Sequence, residues 1–182
     1  MEDSTQPDAA PKTWRGRFFE DFDVGDVFRS RLGRTITATD NGWFTMLTLN
    51  TNQLHFNDEQ ASRSRWGQQL VNSCLTLSLV SGLSVPDTSE NSVANLSWTD
   101  IRLPKPVFVG DTLWSESEIL ELRESRSNTA VGIVSMRTRG LNQRGEVVIE
   151  FLRTFMVPRR QGESQPFFPE TDEPWVVGDS GH

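Results

Sequence analysis

Leu70-Val-Asn-Ser-Cys-Leu-Thr-Leu-Ser-Leu-Val-Ser-Gly-Leu83 is the central apolar segment of the chain. Its apolar residues Leu70, Val71, Cys74, Leu75, Leu77, Leu79, Val80 and Leu83 leave only small polar residues between them, so it predicts a helix that is apolar on most sides and lies inside something. The downstream half of the chain supplies the enclosure. After a break at Pro86-Asp87 the period switches to strands, with candidates at Val93 to Leu103, Thr112 to Leu122, Ala130 to Gly140 and Glu146 to Val157. The last is the clearest, with Val147, Ile149, Phe151, Phe155 and Val157 on one face. Gly110-Asp111 marks one turn, and Asn142-Gln-Arg-Gly145 marks a hairpin whose glycine can take positive φ. Long strands joined by short turns predict an antiparallel meander. One buried helix followed by such a meander predicts an α+β fold, an antiparallel curved sheet wrapped around a central helix.

Upstream, Phe18-Phe-Glu-Asp-Phe-Asp-Val-Gly-Asp26 followed by Val-Phe reads as an opening segment with a glycine turn, and Arg34-Thr-Ile-Thr-Ala-Thr39 has the β-branched content of a strand. Asp40 is a good N-cap for a helix carrying Trp43, Phe44, Met46, Leu47 and Leu49, and Asp58 for a short one running to Arg65 and ended near Gly67. The ordered body is then a single domain over residues 16–158. Residues 1–15 and 159–182 are rich in Pro, Gly, Ser and acid and are expected to be a disordered leader and a flexible acidic tail. The tail carries Phe167, Phe168, Trp175, Val176 and Val177, which could dock on the body or on a partner, with loose attachment expected.

With 25 acidic against 18 basic residues, the chain as a whole repels nucleic acid and anionic membrane surfaces. Any polyanionic ligand must be met by local arginines. The one cysteine, Cys74, excludes an internal disulfide, and its apolar setting predicts an inert thiol. No run of about 18 apolar residues crosses a bilayer, and the acidic start lacks a secretory signal. A soluble, cytoplasmic protein without nucleic-acid or membrane partners is expected.

His55 is the only interior histidine, the other being the terminal His182, so chemistry that needs a group titrating near neutrality has one obvious candidate. A lone histidine set between leucine and phenylalanine reads by itself as a satisfied core or cap residue, and its neighbours shift that reading. One interior histidine and no thiolate cluster cannot make a transition-metal site.

The marks Phe19-Glu-Asp-Phe-Asp-Val-Gly-Asp26, Asn52-Gln-Leu-His55, Arg65-Trp-Gly67 to Leu70-Val-Asn-Ser73, and Pro106-Val-Phe-Val-Gly-Asp-Thr-Leu113 occur in an order that resembles the MaoC-like acyl dehydratases, the family of the (R)-specific enoyl-CoA hydratases. The resemblance extends over about residues 18–157 and implies a single hotdog fold. The family's hydratase motif, Gly-Asp-x-Asn-Pro-aliphatic-His, falls on Leu49 to His55 and departs at Leu49, Asn50 and Gln53. Asn50 stands where the motif has its catalytic aspartate. An amide cannot act as a general base, although it can hold a water, which leaves His55 as the sole base. The family's oxyanion donor is a backbone N–H at the start of the central helix, in a His-Gly pair that here is Asn72-Ser73. A backbone donor survives exchange of its own side chain, and a first helical turn has free N–H groups.

The resemblance thus implies a hydratase or dehydratase acting on an α,β-unsaturated acyl-CoA, with His55, Asn50 and Ser73 catalytic and no cofactor, since coenzyme A is part of the substrate. The phrasing Asn-Thr-Asn-Gln-Leu-His-Phe and Leu-Val-Asn-Ser is closest to the branch acting on short branched dicarboxylic acyl-CoAs, such as itaconyl-CoA or mesaconyl-CoA. Asn52, Asn72, Arg63 and Arg65 are the substrate-binding candidates. Arg102, Lys105, Arg137, Arg139 and Arg144 are further cations near the helix or the meander turns. Asp40, Asp58 and Asp111 read as caps or turn residues rather than as replacements for the missing acid. A sheet wrapped round one helix leaves an edge strand open, so a homodimer is expected. A thioesterase and a non-catalytic acyl-CoA-binding subunit remain open on the same fold.

Overall fold

The structure, a computed structural model, describes residues 16–162 together with Pro169, Thr171 and Asp172. The expected leader at 1–15, the apolar tail residues Phe167, Phe168, Trp175, Val176 and Val177, and His182 lie outside the described residues. The elements run β1 (Val27–Arg29), β2 (Arg34–Thr35), α1 (Ala38–Leu47), α2 (Asp58–Ser62), α3 (Ser73–Thr88), β3 (Ala94–Arg102), β4 (Thr112–Glu124), β5 (Val131–Asn142) and β6 (Val147–Pro158). All strand pairs are antiparallel, in the order β1-β4-β5-β6-β3, with β2 also on β4. β4, β5 and β6 form a true meander. β3 is a correction to the four-strand meander: the chain after it crosses back before β4 begins, so β3 pairs β6 and becomes the far edge of the sheet.

The central helix begins at Ser73 rather than Leu70, because Leu70 is still extended and bridges Phe108. It also passes through Pro86 to Thr88, beyond the expected break. Pro86 lacks the N–H that would bond the Gly82 carbonyl, but both residues lie on the exposed side of the helix, where water can satisfy that carbonyl. Val71, Leu75 and Val80 bury against Leu113, Val148, Ile149 and Phe151 of the sheet. Close approach is possible because β5 carries Gly140 under the helix. A Cβ there would stand 2.6 Å from Val80 Cγ2 and 2.7 Å from Ile149 Cγ2.

The helix is not apolar-buried on most sides. Ser73, Cys74, Ser78, Gly82 and Pro86 are exposed, so the thiol expected in the interior faces outward. On β6 the apolar alternation carries an arginine. Arg153 is 3% exposed and donates to Asn95 Oδ1 at 2.8 Å and Ser89 Oγ at 3.0 Å. Burial alone pushes its guanidinium pKa down.

The strand expected over 34–39 shrinks to Arg34–Thr35, because Thr37 leaves the sheet to cap α1. Arg159 to Gly162, the start of the segment assigned to the tail, stay with the body: Arg159 pairs with Glu124 at 2.7 Å, and Arg160 pairs with Asp21. Among the described residues no helix is long and apolar enough to cross a membrane.

Candidate active site

α1 starts with a capping box. The Thr37 hydroxyl accepts from Asp40 N–H at 3.1 Å, and the Asp40 carboxylate accepts from Thr37 N–H at 2.8 Å. Asp40 is therefore the third helical residue, not the N-cap. Hydrogen bonds from Thr37, aided by Arg34, hold its carboxyl below the usual carboxylate range, and it takes no part in the site. Asp58 is likewise one residue inside α2, whose N-cap is Asn57. Asp111 is the buried turn residue expected, accepting from Phe108 N–H at 3.0 Å.

The amphipathicity of α1 is inverted. Its buried residues are Asn41 and Thr45, while Trp43, Met46 and Leu47 are 69%, 50% and 75% exposed. Phe44 alone of the expected apolar set packs on the core. Beyond the helix Leu49 adopts φ 55°, the left-handed region, where the hydratase motif has glycine. That turn lets Asn50 N–H return to the Thr45 carbonyl at 3.0 Å.

Two consecutive Asx turns then deliver the histidine. Asn50 Oδ1 accepts from Asn52 N–H at 3.0 Å, and Asn52 Oδ1 accepts from Leu54 N–H at 3.1 Å, capping the 3-10 turn Gln53–His55. His55 is 7% exposed. Its Nδ1 lies 2.8 Å from the Leu70 carbonyl, and a carbonyl only accepts, so Nδ1 carries the proton and Nε2 keeps its lone pair.

Leu70 leads directly to the second functional group. Val71 N–H bonds the Val107 carbonyl at 2.8 Å, and Asn72 caps α3, its Oδ1 accepting from Cys74 N–H at 3.0 Å. Ser73 is the first helical residue and exposed, and its N–H has no acceptor among the described residues. An unclaimed N–H at the positive end of a 16-residue helix is able to donate to an anionic oxygen.

The structure thus brings His55, Asn72 and Ser73 together through Leu70, with Asn50 shaping the loop. Asn52 and Asn72, expected to bind substrate, use their side chains as caps. Arg63 is exposed and paired with Glu59, while Arg65 stacks over Trp66 at 4.4 Å from the ring centroid. Trp66 in turn lies edge-on to Phe108, 6.0 Å between centroids, and Phe108 bridges Leu70. Lys105, Arg137, Arg139 and Arg144 are each in ion pairs, with Glu146, Glu118, Glu116, and Asp111 and Glu146 respectively. Arg102 is exposed at the end of β3.

Two hollows lie elsewhere. One of about 440 Å³ on the sheet is lined by the ladder Arg29, Glu116, Arg139 and Arg137, Glu118. In it, bonds from Arg29 and then Arg139 hold the Glu116 carboxyl low. The other, of about 310 Å³, lies over Trp43, Met46 and Leu47 of α1. No cluster of His, Cys, Asp and Glu suited to a metal occurs among the described residues.

A family model described as mesaconyl-CoA hydratase matches residues 4–168. The chain is 41% identical over 149 residues to a mesaconyl-CoA hydratase of Cereibacter sphaeroides, covering 82% of this chain and 43% of that protein. It is 34% identical over 163 residues to a β-methylmalyl-CoA dehydratase of Chloroflexus aurantiacus, covering 90% and 46%. The chain therefore spans about half the length of the curated relatives it matches. Among solved structures, a MaoC-like dehydratase from Rhodospirillum rubrum superposes with TM-score 0.69 at 28% identity, covering 80% of this chain and 99% of that one. A conserved hypothetical protein of Mycobacterium tuberculosis described as a double hotdog fold superposes with TM-score 0.74 at 21% identity, covering 92% and 52%, a likeness of fold alone. The helix-on-sheet architecture is thus one hotdog unit.

Proposed function

The chain belongs to the mesaconyl-CoA hydratase family, and from that membership we propose that it adds water across the double bond of a short branched dicarboxylic enoyl-CoA, mesaconyl-CoA first among them. Hydration of mesaconyl-CoA and dehydration of β-methylmalyl-CoA are one reaction read in two directions, which accommodates both relatives' names. The observation that carries the reading is the pairing of a histidine locked as its Nδ1–H tautomer with an unclaimed helix N–H, linked through Leu70.

The thioester carbonyl accepts from Ser73 N–H, which stabilises the enolate as water attacks the β-carbon. His55 Nε2 takes one proton of that water while its oxygen bonds the β-carbon. The same Nε2–H then returns the proton to the α-carbon, so the sum is addition of one water and regeneration of neutral imidazole. A base so placed contributes about 10² to 10⁴ in rate and an oxyanion donor about 10² to 10³. Asn50 shapes the loop with one lone pair of Oδ1 and retains its NH₂ to orient the water. The phosphates of CoA call for cations, and Arg65 and Arg102, both exposed and in no ion pair among the described residues, are candidates to meet them.

A second copy completes the unit. β3 is an open edge with Leu96, Trp98 and Ile101 41–45% exposed, Leu103 just beyond it is 44% exposed, and α1 shows Trp43, Met46 and Leu47. A homodimer supplies in two chains the pair of hotdog units that a half-length match leaves missing. A non-catalytic subunit is the competing reading, favoured by that same half-length match. Loss of conjugated-thioester absorbance with mesaconyl-CoA, itaconyl-CoA and crotonyl-CoA, each beside His55→Ala, tests the proposal. Turnover that vanishes in the variant supports it, and absence of turnover with all three overturns it.

A further inference from the structure

Asn41 is fully buried and bonds three backbone groups of the site's frame. Its Nδ2 donates to the His55 carbonyl at 2.7 Å and to the Leu70 carbonyl at 3.1 Å, the latter being the same oxygen that receives His55 Nδ1–H. Its Oδ1 accepts the N–H of Asn72 at 2.9 Å, on the residue that caps α3 and precedes Ser73. One turn along α1, Thr45 is also fully buried. Thr45 Oγ1 accepts from Asn72 Nδ2 at 3.3 Å, and its carbonyl accepts from Asn50 N–H at 3.0 Å. Two polar residues on the inner face of a helix whose outer face is apolar need a reason, since burying polar groups is costly unless every bond is made. Here the bonds converge on the base, on the carbonyl that sets its tautomer and on the cap of the donor helix.

We propose that Asn41 and Thr45 are positioning residues that hold the His55 imidazole and the Ser73 N–H in one fixed frame, Asn41 acting on both groups and Thr45 on the donor side. Neither touches substrate. The inference rests on the hydratase reading for its effect on rate, but not for its effect on the ring of His55.

The test uses near-isosteric variants of the full chain, so that the fold is retained. Asn41→Asp keeps an acceptor for Asn72 N–H and removes the NH₂ donors to the His55 and Leu70 carbonyls. Thr45→Val removes the hydroxyl, and Thr45→Ser restores it. Histidine ring ¹⁵N NMR, with His55 assigned against His55→Ala, reads the tautomer, while steady-state kinetics separate kcat from KM. The expected result for Asn41→Asp is a second His55 tautomer and a kcat lowered about ten-fold or more with KM within about two-fold. For Thr45→Val, the tautomer is that of the parent and kcat falls a few-fold to about ten-fold, recovering in Thr45→Ser. Folded Asn41→Asp and Thr45→Val proteins with the parental tautomer and kcat would overturn the proposal. If the parent shows no turnover, the hydratase reading fails separately, and the tautomer of Asn41→Asp still decides: a change supports the role of Asn41, and its absence refutes it.

Discussion

His55 Nδ1 sits 2.8 Å from the carbonyl of Leu70, and this one bond determines which ring nitrogen keeps its lone pair. The acceptor is main chain, held by the Val71–Val107 and Leu70–Leu54 hydrogen bonds of the extended segment and by the Asn41 Nδ2 donor to the same oxygen. With Nδ1 engaged, Nε2 is the basic atom. His55→Ala is therefore expected to lower kcat by about 10² to 10⁴ while leaving the circular dichroism spectrum intact. A smaller loss in the absorbance assay would show that another group takes the proton.

Ser73 permits a direct test of a backbone donor. Its position at the first turn tolerates proline, whose missing N–H is no loss to the helix, and Asn72 already has φ −57° and ψ 129°, the conformation that proline requires before it. Ser73→Pro is expected to fold and to lose about 10² to 10³ in kcat. Ser73→Ala keeps the N–H and so separates side-chain from backbone loss in the same assay. Full activity in the proline variant would remove Ser73 from the mechanism.

The helix, the strand spans and the two glycine turns are legible in the sequence because each rests on a local pattern: apolar density over 70–83, alternation in Val147 to Val157, and positive φ at Gly110 and Gly145. Strand order is not local, and β3 pairs β6 across a crossover that no periodicity encodes. Within the candidate site, His55 stands out by scarcity, while Ser73 enters only through the family resemblance, which places an oxyanion donor at the start of the central helix. Asn41 and Thr45 are missed because the apolar residues around them read as the buried face. The available signal is their i, i+4 spacing on a helix otherwise rich in large apolar groups, which is the mark of a helix whose polar stripe is turned inward.

Gly140 sets how closely α3 approaches the sheet. A methyl group there would stand 2.6 Å from Val80 and 2.7 Å from Ile149, both fully buried, so the helix must lift or the core must rearrange. Gly140→Ala is expected to cost about 1–3 kcal/mol in urea unfolding. Because α3 carries Ser73, kcat is expected to fall too, even well below the melting temperature. An unchanged denaturation midpoint would mean that the contact is looser than its distances imply.

Glu146 is a depressed carboxylate at the β5–β6 hairpin. Bonds from Asn142 Nδ2 at 2.8 Å, Lys105 Nζ at 2.6 Å and Arg144 Nε at 2.9 Å bring its pKa from 4.5 to about 2. A carboxyl depressed on folding adds stability above its unfolded pKa and surrenders it as the pH falls toward the folded value. The melting-temperature gap between the parent and Glu146→Gln is expected to be constant above about pH 4.5 and to narrow steadily toward pH 2. A gap that widens on acidification would contradict the assignment.

Leu49 carries a cost that the isolated chain does not offset. A branched side chain at φ 55° is strained by about 1–2 kcal/mol, and at 87% exposure it gains almost no packing in return. Glycine relieves that strain but loses more freedom on folding, by about 0.5–1 kcal/mol. Leu49→Gly is therefore expected to raise the stability of the monomer by up to about 1.5 kcal/mol. Burial of Leu49 against a second copy would reward the leucine in the dimer, so the same variant is expected to weaken self-association. Chemical denaturation and sedimentation equilibrium on parent and variant read the two effects separately. A variant that is more stable and dimerises as tightly as the parent would place Leu49 outside the interface and leave its strain without a purpose in assembly.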